Sequence, residues 1–220
     1  MTAPVTESSD WRRSCAATGL LGVFNEAGVL ESSDVLVAQR LTVLAKESDE
    51  RVALAVAFVV RAVRGGSVCI DLSQVANQVA AQVGVAGLPW PPAAEWSAAV
   101  SQSRLVTEQP VLHLDAGLLY LDRYWIEECR VAADVLALAG TRRGGTAPDI
   151  ARLFPGSYAE QRGAAEVALS RALTVLTGGP GTGKTTTVAR LLALLAEQAE
   201  LDAQPAGHKK LRIALAAPTG

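Results

Sequence analysis

The sequence predicts an α/β chain: an α-rich N-terminal module, then the opening of a P-loop domain built on a parallel sheet. Three observations predict it. Short helical periodicities with one hairpin signal among them occupy residues 15–140. A segment rich in Gly, Thr and Arg, Gly140-Thr-Arg-Arg-Gly-Gly-Thr-Ala-Pro148, then interrupts every periodicity. Beyond it a strand, a Gly-rich turn, a helix and a second strand alternate.

The elements follow in order. Residues 1–14 read as a mobile tail. From Asp34 to Glu47 the apolar positions Val35, Leu36, Leu41 and Leu44 predict an amphipathic helix opened by Ser33 or Asp34. Asp49 to Arg64 reads as a mostly buried helix ended by Gly65-Gly66. Ser67 to Asp71 reads as a short strand, and Ser73 as the cap of a helix to about Val83. Leu88-Pro-Trp-Pro-Pro92 is a rigid connector, and a helix from about Ala93 to Ser103 follows it. Trp90 and Trp96 read as packing anchors. Pro110 to Leu114 and Leu118 to Leu121 read as strands joined by the turn signal Asp115-Ala-Gly117. Asp122 to Ala139 reads as a helix, with Trp125, Val131, Val135 and Leu138 available for one face.

Residues 141–156 read as a linker whose Arg142-Arg143 pair is solvated. A helix is expected from Ser157 to Arg171, a strand at Leu173–Thr177, a helix from Lys184 to about Glu200 and a second strand at Leu211–Ala217. Such a βαβ unit places its strands parallel. One βαβ unit cannot bury both faces of a parallel sheet, so residues 157–220 read as the first part of a larger domain. Lys209-Lys210, near Gly207, keep the linker before the last strand soluble.

Composition narrows the classes. The 220 residues are 50% apolar and 19% charged, which supports a packed core and excludes a disordered chain. Aromatics make up only 5%, so small aliphatic side chains must fill that core. The formal charge is −2, and no basic stripe argues for nucleic acid by itself. The longest apolar run, Val52–Val60, falls far short of the ~18 residues of a membrane span. The N-terminus is polar and acidic, unlike a signal peptide, so a cytoplasmic protein without a membrane partner is expected. Cys15, Cys69 and Cys129 are odd in number and lack any Cys-x-x-Cys pair, and they read as buried thiols in a reducing compartment. His113 and His208 are too isolated for a metal site.

Gly178-Gly-Pro-Gly-Thr-Gly-Lys-Thr185 fits G-x-x-x-x-G-K-[ST], the P-loop pattern. Gly178, Gly179, Gly181 and Gly183 free the backbone to curl its N–H groups into an anion nest, with Pro180 and Thr182 completing the loop. The helix that begins there adds its positive end. Lys184 reaches the β- and γ-phosphates of ATP as a point charge, and the Thr185 hydroxyl takes one place on Mg²⁺. Lys184 and Thr185 are therefore the candidate catalytic pair. Thr186 follows in the first helical turn.

Three features choose among P-loop proteins. Gln161 lies upstream of the loop, near the start of the preceding helix, and a carboxamide matches the donor and acceptor edge of adenine. Ala217-Pro-Thr-Gly220 closes the second strand, and Thr185-Thr-Thr187 carries the loop into its helix. Together they resemble superfamily 1 DNA helicases, and most closely the helicase subunits of RecBCD-type helicase–nucleases (exodeoxyribonuclease V). The likeness is strong in Glu160–Leu169, Thr174–Leu192 and Leu118–Glu128, and looser before residue 110.

The resemblance implies a RecA-like domain, ATP and Mg²⁺ as cofactors, and 5′→3′ unwinding in double-strand break repair by homologous recombination. It implies that Gln161 reads adenine and that Pro218, Thr219 and Gly220 begin a segment contacting single-stranded DNA. It implies RecB-like and RecC-like partner subunits, with residues 15–140 as the docking module. The family's Asp-Glu pair, arginine finger and second lobe find no counterpart in the chain. Glu197, Glu200 and Asp202 sit at the far end of the loop's helix and cannot replace them. The chain alone is therefore expected to be inactive in unwinding and hydrolysis. Two other readings stay open: a truncated product retaining only a docking role, and another P-loop ATPase or kinase.

Overall fold

The computed structural model describes residues 13–14, 16–85, 87–146, 148–202 and 211–216. The expectations for residues 1–12, Cys15, Gly207, His208, Lys209, Lys210 and Ala217–Gly220 lie outside the described residues. The chain divides into two compact units, one ending at Cys129 and the next beginning at Arg130.

The first unit is built on five helices, α1 (Gly19–Glu26), α2 (Ser32–Ala45), α3 (Glu50–Arg64), α4 (Val75–Val83) and α5 (Ala93–Gln102), with a single turn, α6 (Arg104–Thr107). The centre is α3, where Val52 and Leu54–Val59 are all buried. Burial that nearly encircles a helix makes it the hub on which the others pack, each Val or Leu contributing about 1.5–3 kcal/mol. Asp49 caps it by accepting the Arg51 N–H, and Gly65-Gly66 ends it, Gly66 at φ +87°. The first helical turn of α2 is held by reciprocal bonds between Glu31 and Asp34, a capping box with acids at both positions. Ser73 does not cap α4. It bonds the Asp71 carboxylate in a tight local turn, and α4 starts two residues later.

Three short strands, β1 (Cys69–Asp71), β2 (Leu112–Asp115) and β3 (Leu118–Leu121), form an antiparallel sheet in the order β1-β3-β2. Ala116 and Gly117 turn the β2–β3 hairpin, both at positive φ, as a two-residue loop matched to strand twist requires. Phe24 of α1, Phe58 of α3, Trp90 of the connector and Trp96 of α5 pack ring against ring. Trp96 is buried and donates its indole N–H to the Arg51 carbonyl at 2.7 Å, so both tryptophans are packing anchors.

Helix α7 (Asp122–Gly140) crosses from the first unit into the second. The Trp125 ring stacks on His113 and meets Tyr120 edge-on. The apolar face expected to continue from it does not: Val131, Val135 and Leu138 are exposed, and none of α7 is fully buried. Cys129 is also exposed, against the expectation of a buried thiol, because it stands on that open stretch of α7, while Cys69 is half-buried in β1.

The second unit contains α8 (Ile150–Leu153), a 3-10 turn at Gly156–Tyr158, α9 (Ala159–Ser170) and α10 (Lys184–Asp202). Phe154, Ala165, Leu169 and Leu194 form its core, with Ile150, Leu153, Leu191 and Leu195 packed around them. Asp149 caps α8 inside the segment read as linker, and Arg142 bridges Arg171 there.

Neither strand of the expected βαβ unit forms. Among the described residues, 173–177 and 211–216 enter no strand pairing, although the Ala172 N–H just before the first donates to the Thr141 carbonyl at 3.2 Å, and Val175, Ile213 and Leu215 are exposed. A parallel strand is stable only with neighbours at its edges and layers over both faces. Two segments without neighbours would leave edges and faces in water. Among the described residues the sheet of this chain is thus the small antiparallel one.

Candidate nucleotide-binding site

The Gly-rich loop ends where α10 begins, at Lys184, so the free N–H groups of a 19-residue helix face the loop. Gly181 and Gly183 hold φ of +77° and +78°, which only glycine adopts without strain. Gly178 needs its missing Cβ for a different reason, since one added there would stand 2.7 Å from Thr182 Oγ1. The Thr182 hydroxyl donates to the Gly179 carbonyl at 2.9 Å and folds the loop on itself.

The Lys184 ammonium donates to the Gly178 and Gly179 carbonyls, 2.6 Å each, and forms no ion pair among the described residues. A cation held only by carbonyl dipoles is free to exchange them for phosphate oxygens, which is the chemistry this loop needs. Thr187 is buried, and its hydroxyl donates to the Gly183 carbonyl at 3.0 Å, tying the loop's last glycine to α10. Thr185 and Thr186 are exposed in the first turn, as is Pro180 in the loop. The Thr185 hydroxyl supplies one oxygen, which suits an ion that keeps several waters.

Gln161 stands in the first turn of α9 and is half-buried. It lines one cavity of about 210 Å³ together with Ala164, Thr177, Gly178, Lys184 and Thr187. The fold therefore brings the upstream carboxamide and the lysine of the loop to a single opening. The acids at the far end of α10 are engaged elsewhere: Glu197 pairs with Arg152 at 2.6 Å, and Asp202 accepts the Thr146 N–H at 2.8 Å. Pro218, Thr219 and Gly220 lie outside the described residues.

Sequence reasoning missed two contributors. Thr187 looked like a mere extension of the loop. Arg190, one turn further on, lays its guanidinium over the rings of Tyr158 and Phe154. Only the packing of the segment between α8 and α9 against α10 reveals that contact, although Tyr158 precedes Gln161 by one turn and Arg190 follows Thr187 by one.

A glycine nest, a helix N-terminus and an unpaired lysine define the phosphate-binding element of P-loop proteins, and residues 161–220 match the AAA domain family. Residues 26–120 match the family described as RecBCD enzyme subunit RecD, N-terminal domain. The chain is 64% identical over 208 residues to the RecBCD enzyme subunit RecD of Mycobacterium tuberculosis, covering 93% of this chain and 34% of that protein. With the subunit of the same name from Mycolicibacterium smegmatis it shares 62% identity over 201 residues, 91% of this chain and 34% of the relative. The Haemophilus influenzae subunit is 32% identical over 143 residues, 59% of this chain and 21% of the relative. The chain is thus similar to the N-terminal portion of RecD, and it spans about a third of the length of the mycobacterial relatives.

Proposed function

We propose that the chain is the N-terminal portion of an ATP-dependent DNA helicase subunit of the RecBCD type, acting 5′→3′ in double-strand break repair by homologous recombination. The observation that carries this reading is the shared cavity: Gln161 and Lys184, far apart in sequence, meet at one opening beside the Gly-rich loop. In it, Gly178 to Gly183 cradle the phosphates of ATP, Lys184 neutralises them, Gln161 reads adenine, and Thr185 takes a place on Mg²⁺, with Thr186 beside it.

Residues 157–220 then begin a RecA-like domain whose parallel sheet orders only when further strands flank Leu173–Thr177 and Leu211–Ala217. The exposure of Val175 and Leu215 supports this, because both are apolar residues awaiting a covering layer. Pro218, Thr219 and Gly220 start a segment contacting single-stranded DNA. Residues 15–140 form the docking module for RecB-like and RecC-like subunits, joined by the segment 141–156. The reading as a DNA-processing subunit carries with it a cytoplasmic location; among the described residues no helix is long and apolar enough to cross a membrane.

Equilibrium titration of the chain with a fluorescent ATP analogue and Mg²⁺ tests the nucleotide reading. Saturable binding that Lys184→Ala abolishes, with helix content unchanged, is the expected result. Binding that survives Lys184→Ala would overturn it. Hydrolysis by the chain alone should be negligible, and robust DNA-stimulated hydrolysis would refute its inactivity in isolation.

A further inference from the structure

The Arg190 guanidinium lies 4.5 Å from the centroid of the Tyr158 ring and 5.6 Å from that of Phe154. Phe154 is fully buried and belongs to the core that joins α8, α9 and α10. Tyr158 closes the 3-10 turn that leads into α9. Arg190 forms no ion pair or hydrogen bond among the described residues, so its charge is directed at the two rings. We propose that Arg190 is a positioning residue for base selectivity: packed on Tyr158, it sets the height of the first turn of α9, and with it the Gln161 carboxamide, over the Gly-rich loop. The inference rests on the nucleotide reading above.

The two helices explain why this contact matters at the cavity. Gln161 is one turn beyond Tyr158 on α9, and Arg190 is one turn beyond Thr187 on α10. Thr187 is tied to Gly183, the last glycine of the loop. The arginine–tyrosine contact therefore links the base-reading side of the cavity to the phosphate side across the packed helices. A cation within about 6 Å of an aromatic face adds a modest attraction at such an exposed site, which favours one height of the first turn of α9 over its neighbours. A carboxamide reads a base edge only within hydrogen-bond geometry, so a small shift of α9 removes the discrimination and leaves phosphate binding in place.

The test measures selectivity rather than activity. ATP and GTP compete against a fluorescent ATP analogue for the chain in the presence of Mg²⁺. The chain should prefer ATP, and Gln161→Ala should reduce that preference about tenfold, the worth of one well-placed hydrogen bond. Arg190→Ala and Tyr158→Leu should reduce it similarly. The double variant of Arg190→Ala with Gln161→Ala should fall no further than either alone. Arg190→Lys and Tyr158→Phe, which keep the cation and the ring, should retain the preference. Equal loss of affinity for both nucleotides in Arg190→Ala would make the arginine a phosphate or folding residue and overturn the proposal. So would an unchanged preference, or a parent chain that favours neither nucleotide. Failure of the parent chain to bind either nucleotide would sink the nucleotide reading as well, which separates the two failures.

Discussion

The guanidinium of Arg64 closes on the buried carboxylate of Asp34, with Nε 3.2 Å from Oδ1 and Nη2 3.0 Å from Oδ2. Asp34 is fully buried, and Arg64 also reaches Glu31 at 2.9 Å. Because Asp34 accepts the Glu31 N–H as well, one carboxylate fastens the start of α2 to the end of α3. The hydrogen bond to Asp34 raises the Arg64 guanidinium above its ordinary value.

Asp34→Ala should therefore destabilise the first unit by about 1–2 kcal/mol, since it removes the bond to the Glu31 N–H and the α2–α3 tie together while Arg64 keeps Glu31 as a partner. Urea titration should show a lower midpoint with an unchanged slope. A loss under about 0.5 kcal/mol would reduce the pair to an ordinary surface bridge.

A second carboxylate gives a pH signature. Asp49 caps α3 and meets Arg51 at 2.6 Å, and the hydrogen bond from Arg51 holds its carboxyl below the usual aspartate value of about 3.9. A depressed folded value means that Asp49 contributes stability above the unfolded value, and that this is lost as pH falls through the folded one. Asp49→Asn keeps an acceptor and removes the charge. The parent chain and this variant should differ in unfolding free energy at pH 6 and converge toward pH 2. A constant difference across that range would assign the effect to capping geometry alone.

Much of this was legible from residue order, and the failures have a common cause. Helix α3, its Asp49 and Gly65 boundaries and the β2–β3 turn follow from local chemistry, since caps and positive-φ residues act within a few positions. The pairing of β1 with β3 joins residues far apart in sequence, and the hydrophobic pattern of three short strands does not name partners. The strands expected at Leu173–Thr177 and Leu211–Ala217 rest on their apolar pattern, yet strand pattern expresses itself only beside another strand. Arg190 escaped for the same reason: its contact with Phe154 and Tyr158 arises from long-range packing rather than from a motif.

Trp96 combines burial with a directional bond. Trp96→Phe keeps most of the volume and loses the indole N–H that satisfies the Arg51 carbonyl, so a cost of about 1–2 kcal/mol is expected. Trp96→Ala also opens a cavity among Phe58, Trp90 and α3, for about 4 kcal/mol. Thermal unfolding followed by circular dichroism ranks the two, and equal losses would mean that the hydrogen bond dominates.

Thr174 offers the reverse case. Its hydroxyl is buried and has no hydrogen-bond partner among the described residues. Thr174→Val removes that unsatisfied group at nearly constant volume, so stability should hold or rise by about 1 kcal/mol. A destabilisation of that size in a urea titration would reveal a partner for the hydroxyl.

The loop itself supports a double-variant test. A methyl at Gly178 would meet Thr182 Oγ1 at 2.7 Å, but the next nearest atom of Thr182, its Cβ, lies at 3.5 Å, an ordinary contact. The clash of Gly178→Ala is therefore with one hydroxyl that also folds the loop through the Gly179 carbonyl. Gly178→Ala should displace that hydroxyl, loosen the nest and weaken binding of the fluorescent ATP analogue. Thr182→Ala alone should weaken it less, because the glycines keep their conformations. Combining the two removes the clash, so the double variant should bind more tightly than Gly178→Ala alone, a coupling that additive effects cannot produce. Titrations of the four proteins measure it. If the double variant binds no better than Gly178→Ala, the glycine is required for room around the phosphates rather than for room around Thr182.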